Sequence, residues 1–412
     1  MIYCHSPLGY EGYLVSVEVD IRRGIPLTEI VGLPAGEVRE SKERVRAAIR
    51  HGGFDVPTDR VLINLAPAAI KKRGAGFDLA IAIALLEASG QLFAPLPDEL
   101  LVMGELRLDG SVLPVNGLLP ALLAAYKRGI RHFVLPRGNL REAFFFKDVL
   151  LFVVDSIRDL FTREDRWAKS RDLRAPVERA PVVRSRDQLD FHDVRGQVTA
   201  KRAVLAAAAG GHHCLLLGPP GTGKSMIARR VGGILAPLSR SLSLEATAIH
   251  SLVEGDEGEL SLVQEAPVRS PHHSATLEGM IGGGTVPKPG EISLAHGGVL
   301  VLDEALEFRN SVLQSLREPL ESRSVRISRA EYTATYPANF TLIMTSNLCP
   351  CGGLGSELHS CSCMASEISR YWRRLGEAVL DRIEVRALLL SGRDEAANTR
   401  AEPEDPGDRK SV

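Results

Sequence analysis

Gly218, Gly221, Gly223, Lys224 and Ser225 lie in the run LLLGPPGTGKS with the spacing G-x-x-x-x-G-K-[ST], directly after the apolar stretch Cys214 to Leu217. A strand that feeds such a loop, followed by a helix, turns backbone N–H groups and a helix N-terminus toward one anionic pocket. In this reading Gly218, Pro219, Pro220, Gly221, Thr222 and Gly223 form the cradle, the glycines allowing a tight turn and close backbone approach. Lys224 reaches the β- and γ-phosphates of ATP, and the Ser225 hydroxyl ligates Mg²⁺. A plain glycine-rich turn explains neither the Lys-Ser pair nor the strand before it.

Two more apolar runs end in polar residues. GGVLVLDEALEF places Asp303 and Glu304 at the end of a buried strand, Asp303 toward Mg²⁺ and Glu304 toward an attacking water. NFTLIMTSN ends in Asn347, at the strand terminus where open parallel sheets place their ligands. Asn347 there orients water or senses the γ-phosphate. Each residue alone is a weak signal, but together with the phosphate loop they describe an ATPase of the AAA+ type.

The elements that must hold these residues follow from pattern and composition. The chain has 412 residues, 44% hydrophobic and 25% charged, which suffices for two or three globular domains. Residues 1–161 mix short apolar runs (YLVSVEVDI, VLINLA, HFVLP) with helical-period stretches such as FDLAIAIALLEASG, an α/β or α+β pattern. Residues 162–189 are charged and poor in periodic apolar positions, and are read as a linker. A second domain is expected over 190–390, with a parallel sheet, and residues 391–412 read as a disordered tail. No apolar run is long enough to span a membrane and the N-terminus lacks a signal-peptide pattern, so a cytoplasmic protein is the expectation. The formal net charge of −1 leaves any nucleic-acid contact to local patches.

Six cysteines argue against a disulfide framework, since four crowd into CPCGGLGSELHSCSC. Cys349, Cys351, Cys361 and Cys363 form two C-x-C pairs that could close a tetrahedral Zn²⁺ site, with His359 as a substitute ligand. C-x-C is tighter than the usual zinc spacing, and a metal-free loop is the open alternative. His272 and His273 are adjacent on what reads as an extended segment, so their rings should point opposite ways and not share an ion. In SVRISRAEYTATYPANF, which reads as a hairpin, Arg326 and Arg329 are candidate DNA contacts. In ISRYWRRLG, Arg370, Arg373 and Arg374 flank Tyr371 and Trp372. Basic residues among aromatics suit phosphate contact with base stacking, and equally a solvated helix face that packs an aromatic inward.

The stretches RSPHHSATLEGMIGGGTVPKPGEISLAHGGVLVLDEALEF, LREPLESRSVRISRA, NLCPCG and LDRIEV closely resemble the magnesium-chelatase-like ATPases of the YifB/ComM family. The likeness runs upstream through DFHDVRGQVTAKRAVLAAAAGGHHCLLLGPPGTGKS and the first domain, covering roughly residues 1 to 386. It implies a ring-forming, usually hexameric, homo-oligomeric AAA+ motor whose ComM members look like DNA helicases that promote branch migration. It also implies a pore- or substrate-facing role for the segment around His272. Arg382 matches the position of an arginine finger offered to a neighbour's γ-phosphate; a helix-end salt bridge is the plainer reading.

The stretch MGELRLDGSVLPVNGLLPALLAAYKRGIRHFVLP is similar to the proteolytic domain of Lon, with its ribosomal S5 domain 2-like fold and Ser-Lys pair. Here RGAGFDLA has no serine between Gly74 and Asp78, and the lysine's place falls near Leu118 and Leu119. Lys71 and Lys72 are close in sequence but have no nucleophile to activate, so the fold is expected without peptidase activity. Family members continue past LDRIEV into a helical lid, whereas residues 391–412 show no helical period, which puts hydrolysis in doubt. Three readings stand: a DNA-remodelling ring motor, a chelatase-like motor acting on a partner protein, and a nucleotide-binding module without hydrolysis. The fused Lon-like domain favours the first.

Overall fold

The computed structural model describes residues 1–92, 95–161, 168–169, 190–253, 261–284, 287–329 and 332–389. Apart from Ala168 and Lys169, the linker reading over 162–189 lies outside the described residues, as does the tail reading over 391–412. The chain divides into two compact units, the first within Met1–Ala180 and the second largely within Pro181–Val253 and Leu262–Val412.

In the first unit, alternating strands give one face to a core. Arg60–Ala66 buries Val61, Ile63 and Leu65 and leaves their neighbours less covered, the period of two that a half-buried strand requires. It pairs antiparallel with Tyr13–Arg22 in an eight-stranded mixed sheet. From the far edge the order is Ala168–Lys169, Leu150–Val154, His132–Pro136, Leu100–Val102, Ile2–Ser6, Tyr13–Arg22, Arg60–Ala66 and Leu27–Val31. Within the span read as linker, Ala168–Lys169 thus adds two residues of antiparallel edge strand to Leu150–Leu151. The helix Phe77–Ala88 is apolar on all sides but for Asp78 near its start and Glu87 near its end, and every residue from Phe77 to Leu86 is buried. A helix of that composition belongs at the centre of a domain.

The second unit is built on a five-stranded sheet, all parallel, in the order Val268–Arg269, Val299–Leu302, Thr341–Ser346, Cys214–Leu217 and Val385–Leu388. CLLL and VLVL are continuous apolar runs because both faces of such a sheet are covered. On one face lies the helix Val198–Gly210, whose Ala200, Val204 and Ala207 recur on one side and join the core with Cys214, Leu216 and Val301. The SVRISR and YTATYP stretches form the expected hairpin, with Val325 opposite Tyr336 and Ile327 opposite Ala334. The helix after the phosphate loop is shorter than its apolar pattern suggests. It spans Lys224–Arg229 and gives way to a 3₁₀ turn at Val231–Ile234, where Gly232 and Gly233 disfavour further α-helix.

Candidate functional site: a phosphate loop at the strand ends of the second unit

Three neighbouring parallel strands end side by side. Leu217 is opposite Ser346, and Leu302 is opposite Met344. The next residues along each strand, Gly218, Asn347, Asp303 and Thr345, are therefore brought to one edge of the sheet, where parallel α/β folds bind ligands. Gly218 N–H donates to the Ser346 carbonyl at 3.3 Å, which holds the start of the loop against the end of the central strand. A Cβ on Gly218 would lie 2.5 Å from the Leu389 carbonyl oxygen, so close packing excludes any side chain there. Gly223, which caps the following helix, has φ +90°, a left-handed conformation that glycine adopts without strain.

Lys224 is nearly buried, 7% exposed. Its ammonium donates to the Gly218 and Pro219 carbonyls, both at 2.8 Å, and to Asn347 Oδ1 at 3.1 Å. The side chain thus folds back over its own loop and links it to the neighbouring strand end. Burial pushes its pKa below the usual lysine value, while Asp303 and Glu304 pull it up. An anion in the cradle would replace these neutral carbonyl partners with a charged one, a stronger bond for an ammonium ion.

Asp303 is the hub of the second half of the site. Ser225 Oγ donates to Asp303 Oδ1 at 2.6 Å, and Thr345 Oγ1 donates to the same oxygen at 2.7 Å. Arg229 Nη2 approaches the other oxygen at 3.3 Å. One carboxylate and two hydroxyls meeting beside a phosphate cradle are the hard oxygen donors that suit Mg²⁺. Glu304 has φ +52°, uncommon for a residue with a side chain, and its carboxylate is exposed. Its backbone is held in that conformation by the Glu304 N–H bond to Thr345 Oγ1 at 2.9 Å.

The sequence-derived residues Lys224, Ser225, Asp303, Glu304 and Asn347 therefore converge, and Thr345 and Arg229 join them unforeseen. Thr345 carried one usable signal: it lies two residues before Asn347, near the end of the same apolar run. Arg382 is placed elsewhere: its guanidinium pairs with Glu321 at 2.8 Å and donates to the Ala378 carbonyl at 2.6 Å. Within one chain, that is a helix-end ion pair.

Other expectations fare unevenly. His272 and His273 do not diverge: a turn stacks their rings with centroids 4.0 Å apart, which corrects the extended-segment reading. Tyr371 is buried, Trp372 Nε1 donates to the Leu348 carbonyl at 3.2 Å, and Arg374 donates to the Phe308 carbonyl at 3.0 Å. Neither Tyr371 nor Arg374 is thus offered freely to a ligand, whereas Arg370 and Arg373 are exposed. On the hairpin, Arg326 is exposed and Arg329 pairs with Glu278 at 3.3 Å. The thiols of Cys349, Cys351, Cys361 and Cys363 lie within 4.8 Å of one another. In the first unit, Leu118 and Leu119 are fully buried, and Asp78 pairs with Arg44 in the core. Among the described residues no helix is long and apolar enough to cross a membrane.

Comparison with known proteins agrees with this architecture. The family described as magnesium chelatase, subunit ChlI, matches residues 190–395, and a second description, subunit ChlI of Mg-chelatase, matches residues 17–139. Competence protein ComM of Haemophilus influenzae is 39% identical over 386 residues, 93% of this chain and 75% of that protein. The YifB protein of Escherichia coli is 41% identical over 386 residues, 93% of this chain and 74% of that protein. A Lon protease of Chloroflexus aurantiacus is 32% identical over 143 residues, 33% of this chain and 17% of the protease. Identity near two-fifths sustained across both units, together with the two family matches, establishes that the chain belongs to the magnesium-chelatase-like AAA+ family of the YifB and ComM proteins.

Proposed function

We propose that this chain is an ATP-driven ring motor that acts on DNA. The observation that carries the nucleotide part is the convergence of Lys224, Ser225, Asp303 and Asn347 at the ends of three adjacent parallel strands. In the proposed cycle Lys224 leaves the Gly218 and Pro219 carbonyls for the β- and γ-phosphates. Ser225 and Asp303 hold Mg²⁺, which neutralises charge on those phosphates. Glu304, exposed beside them, takes the proton of the attacking water, and Asn347 orients that water or registers the γ-phosphate. Arg382 serves a neighbouring subunit in a hexameric ring, exchanging its Glu321 partner for that subunit's nucleotide.

The DNA part draws on two supports. A relative matched over 93% of this chain carries the name competence protein, and Arg326, Arg370 and Arg373 are exposed cations on the same unit as the phosphate loop. A motor that travels along DNA must accept any base, so its affinity should come from phosphate contacts and fall steeply with salt. Fluorescence anisotropy with single-stranded and branched DNA, with a non-hydrolysable ATP analogue present, tests this. Binding at low salt is expected, and replacing Arg370 and Arg373 together should make the slope of log affinity on log salt shallower by about 1 to 2. Absence of binding to either DNA at low salt would remove the proposed substrate and favour a motor acting on a partner protein.

A further inference from the structure

Between Ser346 and Ala365 the chain makes no helix or strand. Irregular stretches of this length are uncommon in compact domains and need a tie of their own. The apolar side chains of this one do not supply it, since Leu358 is 86% exposed and Leu354 39%. What the stretch does bring together is sulfur. Cys349 Sγ and Cys351 Sγ are 3.4 Å apart, Cys351 and Cys361 3.7 Å, and Cys361 and Cys349 3.6 Å, with Cys363 completing the group. These separations are too long for disulfides, whose sulfurs lie ~2.05 Å apart. They match the edge of a tetrahedron of thiolates around zinc, about 3.8 Å for bonds of ~2.3 Å.

The surroundings favour thiolate over thiol. Leu354 N–H points at Cys349 Sγ from 3.2 Å and Gly353 N–H at Cys351 Sγ from 3.4 Å, the outer partners that steady a metal-bound sulfur. An all-sulfur tetrahedral donor set selects zinc or iron over hard cations.

The same loop presses on the phosphate cradle. Gly352 has φ +76°, and a Cβ there would come within 2.8 Å of Pro220 Cγ, so bare backbone lies flat against that proline. Gly355 approaches Pro219 Cδ, at 3.9 Å from its would-be Cβ. At the loop's start, Asn347 accepts from Lys224, and Leu348 is pinned by Trp372 Nε1. We infer that Cys349, Cys351, Cys361 and Cys363 hold a Zn²⁺ ion, and that this knuckle braces the phosphate loop through Pro219, Pro220 and Asn347.

The test uses the full chain purified under reducing conditions without chelator. Elemental analysis should find about one zinc per chain, released when a mercurial titrates the thiols. Cys363→Ser should lower zinc occupancy severalfold, while Cys351→His, which keeps four donors, should retain it. Hydrogen exchange should then rise severalfold on metal removal in the peptide spanning 214–225, with the peptide of Tyr13–Arg22 unchanged as internal reference. Folded protein without zinc, or with iron in its place, would overturn the metal assignment. Zinc removal that leaves exchange at 214–225 unaltered would overturn the bracing role.

Discussion

Asp78 and Asp303 are both carboxylates beside an arginine, and the chain uses them in opposite ways. Asp78 is wholly buried in the first unit, where Arg44 grips it with Nε at 2.7 Å and Nη2 at 3.0 Å and Leu106 N–H donates at 3.2 Å. Every oxygen has a partner, and the group serves the fold. Asp303 in the second unit is 20% exposed; two hydroxyls hold one oxygen, and Arg229, itself 59% exposed, reaches the other at only 3.3 Å. Among the described residues, that oxygen is held only by the exposed arginine. The contrast separates a unit that buries its carboxylate for the fold from one whose polar strand ends stay partly exposed.

The largest expected effect lies in the first unit. Arg44→Ala leaves the Asp78 charge buried without its partner, and should cost about 3–5 kcal/mol of stability by denaturant unfolding. ATP binding by the second unit should survive in mild conditions. A loss below ~1 kcal/mol would mean that Asp78 is not a structural charge, and the contrast with Asp303 would collapse.

Acidity should weaken the same unit. Burial pushes His5 down to about 4, and its Nε2 bonds the Glu11 carbonyl oxygen at 2.9 Å. Between pH ~6.5 and that value the unfolded chain takes up a proton that the folded one refuses, so stability falls as pH drops through this window. The expected loss is up to ~3 kcal/mol, read from unfolding at stepped pH, and His5→Gln should flatten it. An unchanged profile in that variant would place the acid sensitivity elsewhere.

Smaller again is the effect of Thr345→Val in the second unit. The hydroxyl steadies both Asp303 and the Glu304 backbone without belonging to the phosphate loop. Its loss should lower Mg²⁺-dependent turnover by about 10- to 100-fold, with the apparent Mg²⁺ affinity falling in parallel. Unaltered turnover would reduce Thr345 to a packing residue and sharpen the site to its sequence-legible members.

How much could be read before folding depends on whether the information is local. Asp303 and Asn347 each close an apolar run, which predicts a strand end wherever the strand sits in the sheet, and Lys224 and Ser225 are fixed by the spacing of the glycine loop that follows another such run. Thr345 was legible only as a neighbour of Asn347, because its value comes from standing beside Asp303, which only the parallel register between Val299–Leu302 and Thr341–Ser346 decides. Arg44, on the helix Gly36–Gly52, meets Asp78, on Phe77–Ala88, only through the packing of those two helices. The rings of His272 and His273 came together because a turn replaced the extended backbone on which the alternation rule depends. Arg382 shows the converse limit: its proposed partner belongs to another subunit, and within one chain its guanidinium finds Glu321 instead.

Steady-state ATP turnover in Mg²⁺, with and without branched DNA, tests the central claim most directly when the chain is compared with its Lys224→Ala variant. The intact chain should turn over ATP and do so faster on DNA. Lys224→Ala should weaken nucleotide binding by about 2–3 kcal/mol, roughly 30- to 150-fold, and abolish turnover at moderate ATP while circular dichroism shows an unchanged fold. Turnover by the folded variant at the rate of the intact chain would contradict the assignment of the phosphate loop, and with it the reading of the strand ends as a motor's active site.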